Sequence, residues 1–414
     1  MAPYTPPIAP DDPSATDSET LATVTVTDTD GNVTRIPNIK SFSYSSDVLA
    51  VGDQSSVIIP DPRRLYLDKT KRGTRVELSL SNPLVQGGAE TKKLVGRIWE
   101  QDINSSSSGG TVITLTIRDL GVHLFDEPPI WTNLFHATFR DFLEKSIDPS
   151  WGFQGVRPTT GNDASRFLRQ SLPNSRQNAV LTRNKTDLVP FIVIQTEPGQ
   201  KIYDILVEYC KRAGYLVNVS PDGWIEFFKP NDIQAPQYRL EYHDPDIDGA
   251  AAAARNNVLD PPGAHVVNSA DPLYTDVTCI SEVVTPDMIQ EAAQSVDPNF
   301  NKIVSQAPHG IYLSLLPFRK YAAFVDMNQI TQDQVNARAA WKSGMGQFQS
   351  FTLSVTVRGH QQGGIWWEAD TMASVEMPVV GISTPLYVQA VRCDRDDAGD
   401  RTALTLRLPG LLNA

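Results

Sequence analysis

Cysteine is scarce in this sequence, and long apolar runs are absent from it. The 414 residues include three cysteines, Cys210, Cys279 and Cys393, which lie far apart without a CxxC pair. Such spacing fits neither a disulfide framework nor a thiolate zinc site, so we expect assembly in a reducing cytoplasm. No run approaches the roughly 20 apolar residues that a membrane helix needs, so no membrane span is expected.

The usual catalytic motifs are also lacking. There is no GxSxG, HExxH, GxxxxGK[ST] or GxGxxG. The histidines occur singly, which favours structural or surface roles over catalytic or metal-binding ones. They are His123, His136, His243, His265, His309 and His360. We therefore expect no enzyme activity, no cofactor, and no catalytic, cofactor-binding or metal-binding residue.

Positive charge is in deficit, with 36 Lys and Arg against 48 Asp and Glu and a formal net charge of -12. A surface of this sign is poorly suited to phosphate contacts, so specific nucleic acid binding is not expected. The length indicates two to four domains, and 30 prolines and 26 glycines predict many short strands with frequent turns.

Residues 1–20 are rich in Pro, Ser, Thr and Asp. They have neither the cationic nor the apolar region of a signal peptide, so we expect none. A segment with so little apolar surface to bury is predicted to be a flexible N-terminal arm.

Alternating apolar and polar residues predict a first barrel or sandwich domain over residues 21–125. Val24 and Val26 alternate with threonines before a turn at Gly31, and Ile113 and Leu115 share one face of a later strand. Five or six short strands without a helical pattern are typical of a barrel or sandwich.

The middle of the chain, residues 126–270, is predicted to be an α+β region. It contains a helix-hairpin unit, residues 197–230, and a loop-like insert, residues 244–270.

Residues 271–414 return to strand patterns and are predicted to form a second strand-rich region. They contain one helix, residues 331–343, whose start is marked by the TQDQ capping box. Gly344 and Gly346 are expected to end that helix.

One acidic cluster has the spacing of a cation site. Asp244, Asp246, Asp248 and Gly249 match the front half of a calcium loop. The twelfth position, which needs a bidentate Glu, is Arg255, so a solvated acidic turn is the favoured interpretation over a cation site.

Two further clusters have ordinary structural explanations. The acidic stretch from Asp394 to Asp400 fits a hairpin loop. Trp366 and Trp367 could stack on sugar rings or bases, although such a pair more often lies in a barrel core or a subunit interface.

The helix-hairpin unit reads EPGQKIYDILVEYCKRAGYLVNVSPDGWIEFFKP. Ile202, Leu206 and Cys210 lie on one helical face, Gly214 is a helix stop, and Gly223 closes the hairpin. This PGxxxxxxLxxxxxxxGYxxxxxxDGxxxF arrangement resembles the phage baseplate hub family, the late control protein D or tail hub proteins. The segments VGDQSSVIIP, LVGRIWEQDI and TLTIRDL are similar to the first barrel of that family, and the end of the chain from IWWEADTM onward is similar to its final strands.

The resemblance implies an α+β, mainly β fold with two tube-forming β-barrel domains, residues 21–125 and 271–414. Residues 126–270 would then belong to peripheral α/β domains that carry short helices. It implies a homotrimer whose two barrels per chain form a pseudo-sixfold ring between the tail tube and a central spike or fibre, with passage for DNA. The implied partners are the tail tube protein, the spike or fibre protein, other baseplate proteins and the tape measure protein. The implied location is the virion tail baseplate, after assembly in the host cytoplasm. Two alternatives stay open: a tail-associated cell-wall hydrolase, and a glycan-binding tail module that uses Trp366 and Trp367.

Overall fold

The structure is a computed structural model that describes residues 20–37, 39–83, 89–106, 110–128, 143, 146–158, 201–213, 215–230, 232–282, 302–305, 316, 318–325 and 332–409. Residues 1–19 of the predicted arm lie outside this set. Gly214, the predicted helix stop, and Thr331, the first residue of the predicted capping box, lie outside it as well.

Strands far outnumber helices among the described residues, which confirms the mainly β class. In chain order the strands are β1 (Leu21–Thr27), β2 (Val33–Ile36), β3 (Ser41–Asp47), β4 (Gln54–Pro60), β5 (Arg75–Ser81), β6 (Thr91–Ser106), β7 (Gly110–Asp119), β8 (Gly155–Pro158), β9 (Leu216–Val219), β10 (Trp224–Phe228), β11 (Tyr238–Glu241), β12 (Ala264–Asn268), β13 (Asp276–Glu282), β14 (Lys302–Val304), β15 (Tyr321–Val325), β16 (Phe351–Arg358), β17 (Gln361–Gln362), β18 (Ile365–Trp366), β19 (Thr371–Met377), β20 (Ile382–Asp396) and β21 (Gly399–Arg407). The helices are α1 (Gly121–Asp126), α2 (Ile202–Ala213), α3 (Ala250–Ala253) and α4 (Gln332–Ser350).

One large sheet contains 13 of these strands. Its order is β12-β16-β21-β20-β3-β4-β7-β6-β5-β1-β2, with β19 paired to β20 and β11 paired to β19. Alternate residues of each strand point into one core, where Val24, Val26, Ile113 and Leu115 are buried as their period-two spacing predicts. The same core continues without a break to Leu404, near the end of the sheet.

Strand β20 joins two halves of this sheet. Its first part, from Ile382 to Val388, pairs with β19, and its later part, from Ala390 to Arg395, pairs with β3. A register shift in its pairing with β21 falls between these parts, and such a bulge bends a strand. We call β1–β7 the first half, and β11, β12, β16, β19, β20 and β21 the second half.

The second half draws strands from both sides of residue 271, the expected start of the second barrel region. Strand β11 pairs in parallel with β19, and β12 pairs antiparallel with β16. The expectation of a loop-like insert over the whole of residues 244–270 is therefore wrong at its end. Ala264 and Val266 form a strand there because they pack against the large core.

In the helix-hairpin unit, β9 and β10 form a three-stranded sheet, β8-β10-β9, with β8 from an earlier part of the chain, and α2 covers this sheet. Ile202, Leu206 and Cys210 are buried, as the helical spacing predicts. Val219 pairs with Ile225 across the hairpin. Gly223 closes the turn with a φ of 83°, which favours glycine.

Helix α4 does not end where the sequence indicates. It continues through Gly344 and Gly346 to Ser350, so the predicted end at residue 343 is wrong. A Cβ at position 346 would overlap the carbonyl oxygen of Pro272. Glycine is present here because the helix passes close to a neighbouring backbone, and helix termination has no part in it.

A second three-stranded sheet, β14-β13-β15, packs on α4 through Val277, Cys279, Val335 and Ala339. Its described strands pair with no strand of the large sheet, although they fall in the expected second barrel region. None of the described helices is long and apolar enough to cross a membrane.

Candidate functional site

A cavity of about 220 Å³ lies where three parts of the chain meet. The first half contributes Tyr44, Asp53 and Lys93, and the helix-hairpin unit contributes Ser220. The third wall is the segment just before β19, which includes Trp367. We call this region the junction, and it is the candidate functional site.

A pair of buried carboxyl groups lies at one side of the junction. Asp53 precedes β4 and Asp119 ends β7, and the exposed fractions of these residues are 7% and 3%. The Tyr44 hydroxyl donates to Asp53 Oδ2 at 2.6 Å, and the Gly121 amide donates to Asp119 Oδ1 at 2.8 Å. Within the described part of the chain, Asp53 Oδ1 and Asp119 Oδ2 have no hydrogen-bond partner.

Burial controls the protonation of this pair. Desolvation raises the pKa of Asp53 to about 6. Desolvation, followed by the charge of Asp53, raises the pKa of Asp119 well above its ordinary value. Burial also raises the pKa of Tyr44. The pair therefore retains a proton in mildly acidic solution, and a protonated carboxyl group supplies a donor that two carboxylates lack.

Lys93 connects the first half to the segment before β19. Its side chain is almost fully buried, and its Nζ lies 2.8 Å from Glu368 Oε1 and 5.2 Å from the centre of the Trp366 ring. A buried hydrogen bond of 3.0 Å from Asn82 Nδ2 to Gln361 Oε1 spans the same boundary. These polar contacts fix the first half against the segment that precedes β19, which is a structural use of polar and charged side chains.

The histidines remain apart from one another where the structure describes them. His360 is fully buried and lies 3.0 Å from the Thr20 hydroxyl, and burial lowers its pKa. His123 stacks on Trp151, and burial lowers its pKa as well. His243 is buried and His265 is exposed on β12, while His136 and His309 lie outside the described residues.

His360 belongs to a small cluster at the root of the N-terminal arm. The Thr20 amide donates to Asp400 Oδ2 at 2.9 Å, and Arg395 donates to the Thr20 carbonyl oxygen. These contacts fix the point at which residues 1–19 join the described chain.

The Asp244 to Gly249 stretch forms a turn. The Asp246 amide donates to Asp244 Oδ1 at 2.8 Å, and the Asp244 amide donates to Asp248 Oδ2 at 2.9 Å. The carboxylates of Asp244 and Asp248 thus satisfy backbone donors of their own turn, in agreement with the solvated acidic turn. In the described ranges, no group of three His, Cys, Asp or Glu residues is placed to hold a metal ion.

The other candidates also have structural positions. Asp396 and Gly399 close the hairpin between β20 and β21, as expected for the acidic stretch. Trp367 is 3% exposed and its ring centre lies 4.3 Å from that of Tyr238, so it is a core residue.

Cys210, Cys279 and Cys393 are free and buried. Burial raises the pKa of Cys393 to about 12 and that of Cys210 above its ordinary value, so neither thiol is activated.

The sequence did not reveal Asp53, Asp119 or Lys93. Lys93 follows Lys92, Asp119 follows Arg118, and Asp53 precedes an apolar strand; charges at such strand ends usually face solvent. A GD pair at residues 52–53 and a DLG run at residues 119–121 are weak signals of backbone close to a carboxylate. Their meeting depends on the pairing of β4 with β7.

No protein-family model matches the sequence, and no curated protein matches it. Its fold matches solved structures of tail proteins. A tail protein from Neisseria meningitidis MC58 has a TM-score of 0.64 and 18% identity, with 95% of this chain and 97% of that chain covered. A 43 kDa tail protein of prophage MuSo2 from Shewanella oneidensis has a TM-score of 0.63 and 15% identity, with coverage of 95% and 99%. The prophage tail protein gp18 from Listeria monocytogenes EGD-e has a TM-score of 0.53 and 9% identity, with coverage of 94% and 96%. The chain thus has the fold of these tail proteins, which confirms the resemblance seen in the sequence.

Proposed function

From this shared fold, we propose that the chain is a non-enzymatic structural protein of a phage or phage-like tail and acts as its baseplate hub. In this role three copies form a ring, and the two halves of each copy give it pseudo-sixfold symmetry. The ring joins the sixfold tail tube to a central spike or fibre and leaves a path for DNA. Its partners are the tube protein, the spike or fibre protein, other baseplate proteins and the tape measure protein. Its place is the virion tail, after assembly in the host cytoplasm.

One observation carries this proposal. The match to two tail proteins extends over 95% of this chain and at least 97% of theirs. Agreement over whole chains includes both halves of the sheet, the helix-hairpin unit and α4. A shared arrangement of all these parts supports a shared structural role better than one common domain does.

The edges of the large sheet are compatible with ring formation. Strands β2 and β12 are the terminal strands of its main order, so each has one side without a strand partner among the described residues. Pairing with a neighbouring chain would satisfy such an edge and remove an aggregation hazard.

A net charge of -12 per chain favours an acidic or neutral inner wall, along which DNA slides without binding. A strongly basic inner wall in an assembled ring would contradict this part of the proposal.

The two alternatives receive little support from the junction. Asp53 and Asp119 are too deeply buried to reach a cell-wall glycan, and Trp367 lies within the core. Hydrolysis of purified cell wall that is lost on one Asp or Glu substitution would establish the hydrolase instead. Glycan binding that is lost in a Trp366→Ala, Trp367→Ala variant would establish the glycan-binding module.

Mass and symmetry measurements test the proposal directly. We expect native mass spectrometry and electron microscopy to reveal threefold rings of the purified chain, alone or with tube protein. A chain that stays monomeric in both conditions would contradict the hub role.

A further inference from the structure

A strongly basic loop, residues 61–74, joins β4 to β5 on this acidic protein. Its exposed part carries one acid, Asp68, and an apolar residue, Leu65, that is 58% exposed. Its five basic residues are Arg63, Arg64, Lys69, Lys71 and Arg72. The loop therefore presents clustered positive charge around an apolar tip, on a chain whose net charge is -12.

The basic loop is held in one conformation by its own hydrogen bonds. Buried Asp61 accepts the Leu65 amide at 2.7 Å and the Tyr66 amide at 2.9 Å. Gln101 Nε2 donates to the Leu67 carbonyl oxygen at 3.1 Å. Arg64 has a φ of 57°, a conformation that non-glycine residues keep only where their surroundings impose it. A binding surface fixed in advance loses little conformational freedom when a partner arrives.

Most of this charge is available to a partner. Lys71 forms an ion pair with Asp68 at 3.3 Å, whereas Arg63, Arg64 and Arg72 form none with any described residue. Arginine around an apolar centre is the composition of a protein interface, because guanidinium groups pair with carboxylates while the apolar tip loses water.

The same chain carries a surface that is complementary in charge to the basic loop. The acidic turn, residues 244–248, presents Asp246 beside Ile247, which is 82% exposed. Hydrogen bonds from the Asp246 and Asp244 amides to carboxylates of the same turn fix its shape. Acidic groups thus surround an apolar tip here, as basic groups do in the loop.

The basic loop and the acidic turn lie at opposite ends of the large sheet. Strand β4 ends beside the Asp396 end of β20, because β4 pairs with β3 and β3 with β20. Strand β11 ends at Glu241, which pairs with Glu376, and Glu376 pairs with Ser383 of β20. These points are about 13 residues apart along β20, or roughly 40 Å of extended strand. The two surfaces of one copy therefore do not meet.

We propose that the basic loop of one copy binds the acidic turn of a second copy, with Leu65 and Ile247 in contact at the centre. The contact joins the first half of one chain to the second half of the next, so it is head-to-tail and can close a ring. It rests on the proposed ring and assigns residues to its subunit boundary. A nucleic acid is the weaker candidate because a phosphate backbone offers nothing apolar to Leu65, and the rest of the acidic surface repels it.

Charge reversal and rescue test this contact. Arg63→Glu and Asp246→Arg should each weaken self-association at least about tenfold, and the double variant should restore it to within about threefold of wild type. Leu65→Ser should weaken it without changing its dependence on salt, whereas the wild type should dissociate as NaCl rises from 0.05 to about 0.5 M. Arg358→Glu, which reverses an exposed arginine outside both surfaces, is the matched control. Sedimentation velocity of the full chain, with tube protein added if required, measures each.

The outcomes separate this contact from the hub role. Rings that persist unchanged in Arg63→Glu and Asp246→Arg would overturn the contact and leave the ring intact. A wild-type chain that stays monomeric even with tube protein would overturn both. Failure of the double variant to recover, or loss of duplex DNA binding in Arg63→Glu with unchanged self-association, would also overturn the contact.

Discussion

The two halves of the large sheet are built from the chain in different ways. The seven strands of the first half all fall within residues 21–119, whereas the second half combines residues 238–268 with residues 351–407. Between those two segments the chain forms the small sheet β14-β13-β15 and helix α4. The second half shows that strands of one sheet can come from chain segments separated by a different sheet and a helix, provided that they pack on one core.

The halves nevertheless share strand β20 and one continuous core. Units that share a strand and a core cannot unfold separately without exposing apolar surface on both sides. The halves therefore differ in how they are assembled, and we expect them to share one stability. Four experiments address it.

The largest effect is expected from Gly96→Ala in the first half. A Cβ at position 96 would overlap the Arg118 carbonyl oxygen, so β6 and β7 would have to separate. We expect a loss of about 4 kcal/mol or more in the free energy of urea unfolding. Gly31→Ala is the control, since nothing lies within 4 Å of its added Cβ; only its positive φ opposes the substitution, which should cost about 1 kcal/mol. Equal effects would contradict the close approach of β6 and β7.

The next test truncates one buried leucine in each half. Leu78→Ala and Leu404→Ala both remove side chains from the shared core, so each should cost about 3 kcal/mol. Calorimetry should show one transition in the wild type and in both variants, moved to lower temperature. Two separate transitions, each affected by one variant, would mean that the halves are independent domains.

The carboxyl pair makes the junction sensitive to pH. Burial raises the pKa of Asp53 from 3.8 to about 6, so its contribution to stability is fully present below pH of about 4 and is lost as pH rises through about 6. Asp53→Asn cannot ionise at this position. The free energy of unfolding of the variant minus that of the wild type should therefore be about 2 kcal/mol larger at pH 8 than at pH 4. Urea unfolding across this range measures the difference. A variant whose stability changes with pH as the wild type does would show that Asp53 is not responsible.

The smallest effect concerns the Lys93 to Glu368 bond across the junction. Glu368→Gln leaves the almost buried Lys93 ammonium without its carboxylate, and we expect a cost of about 1 kcal/mol because Glu368 is itself half exposed. The control is Arg35→Gln, which removes an exposed pair with Glu90 in the first half and should cost below about 0.5 kcal/mol. Urea unfolding in which the two costs are equal would show that the junction pair behaves as an ordinary surface pair.

The sequence predicted those parts of the fold that depend on neighbours along the chain. The alternation around Val24 and Ile113, the turn at Gly223 and the buried face of α2 all follow from local spacing. The end of α4 was mispredicted because Gly346 is required by its close approach to Pro272, a residue distant in sequence. Local rules treat a glycine as a helix stop unless a distant contact is known.

The candidate site was harder to predict than the fold. The junction gathers Asp53, Asp119 and Lys93 only after β4 has paired with β7 and the halves have met around β20. No spacing along the chain encodes such a meeting, since Lys93 and Asp119 lie in different strands and Asp53 precedes a third. The family resemblance indicated the tail-protein fold but contained no information about these residues.

The shared strand also affects how the protein is made. Strand β3 cannot pair with β20 until β20 emerges from the ribosome about 340 residues later. At ordinary rates of synthesis this takes roughly 20–70 s. Throughout this interval one edge of the nascent first half lacks its partner strand and can pair with other unfinished chains. Because β20 is synthesised so late, the sheet is completed only when synthesis is nearly finished. We therefore expect misassembly mainly on polysomes, where many unfinished copies of this chain lie close together.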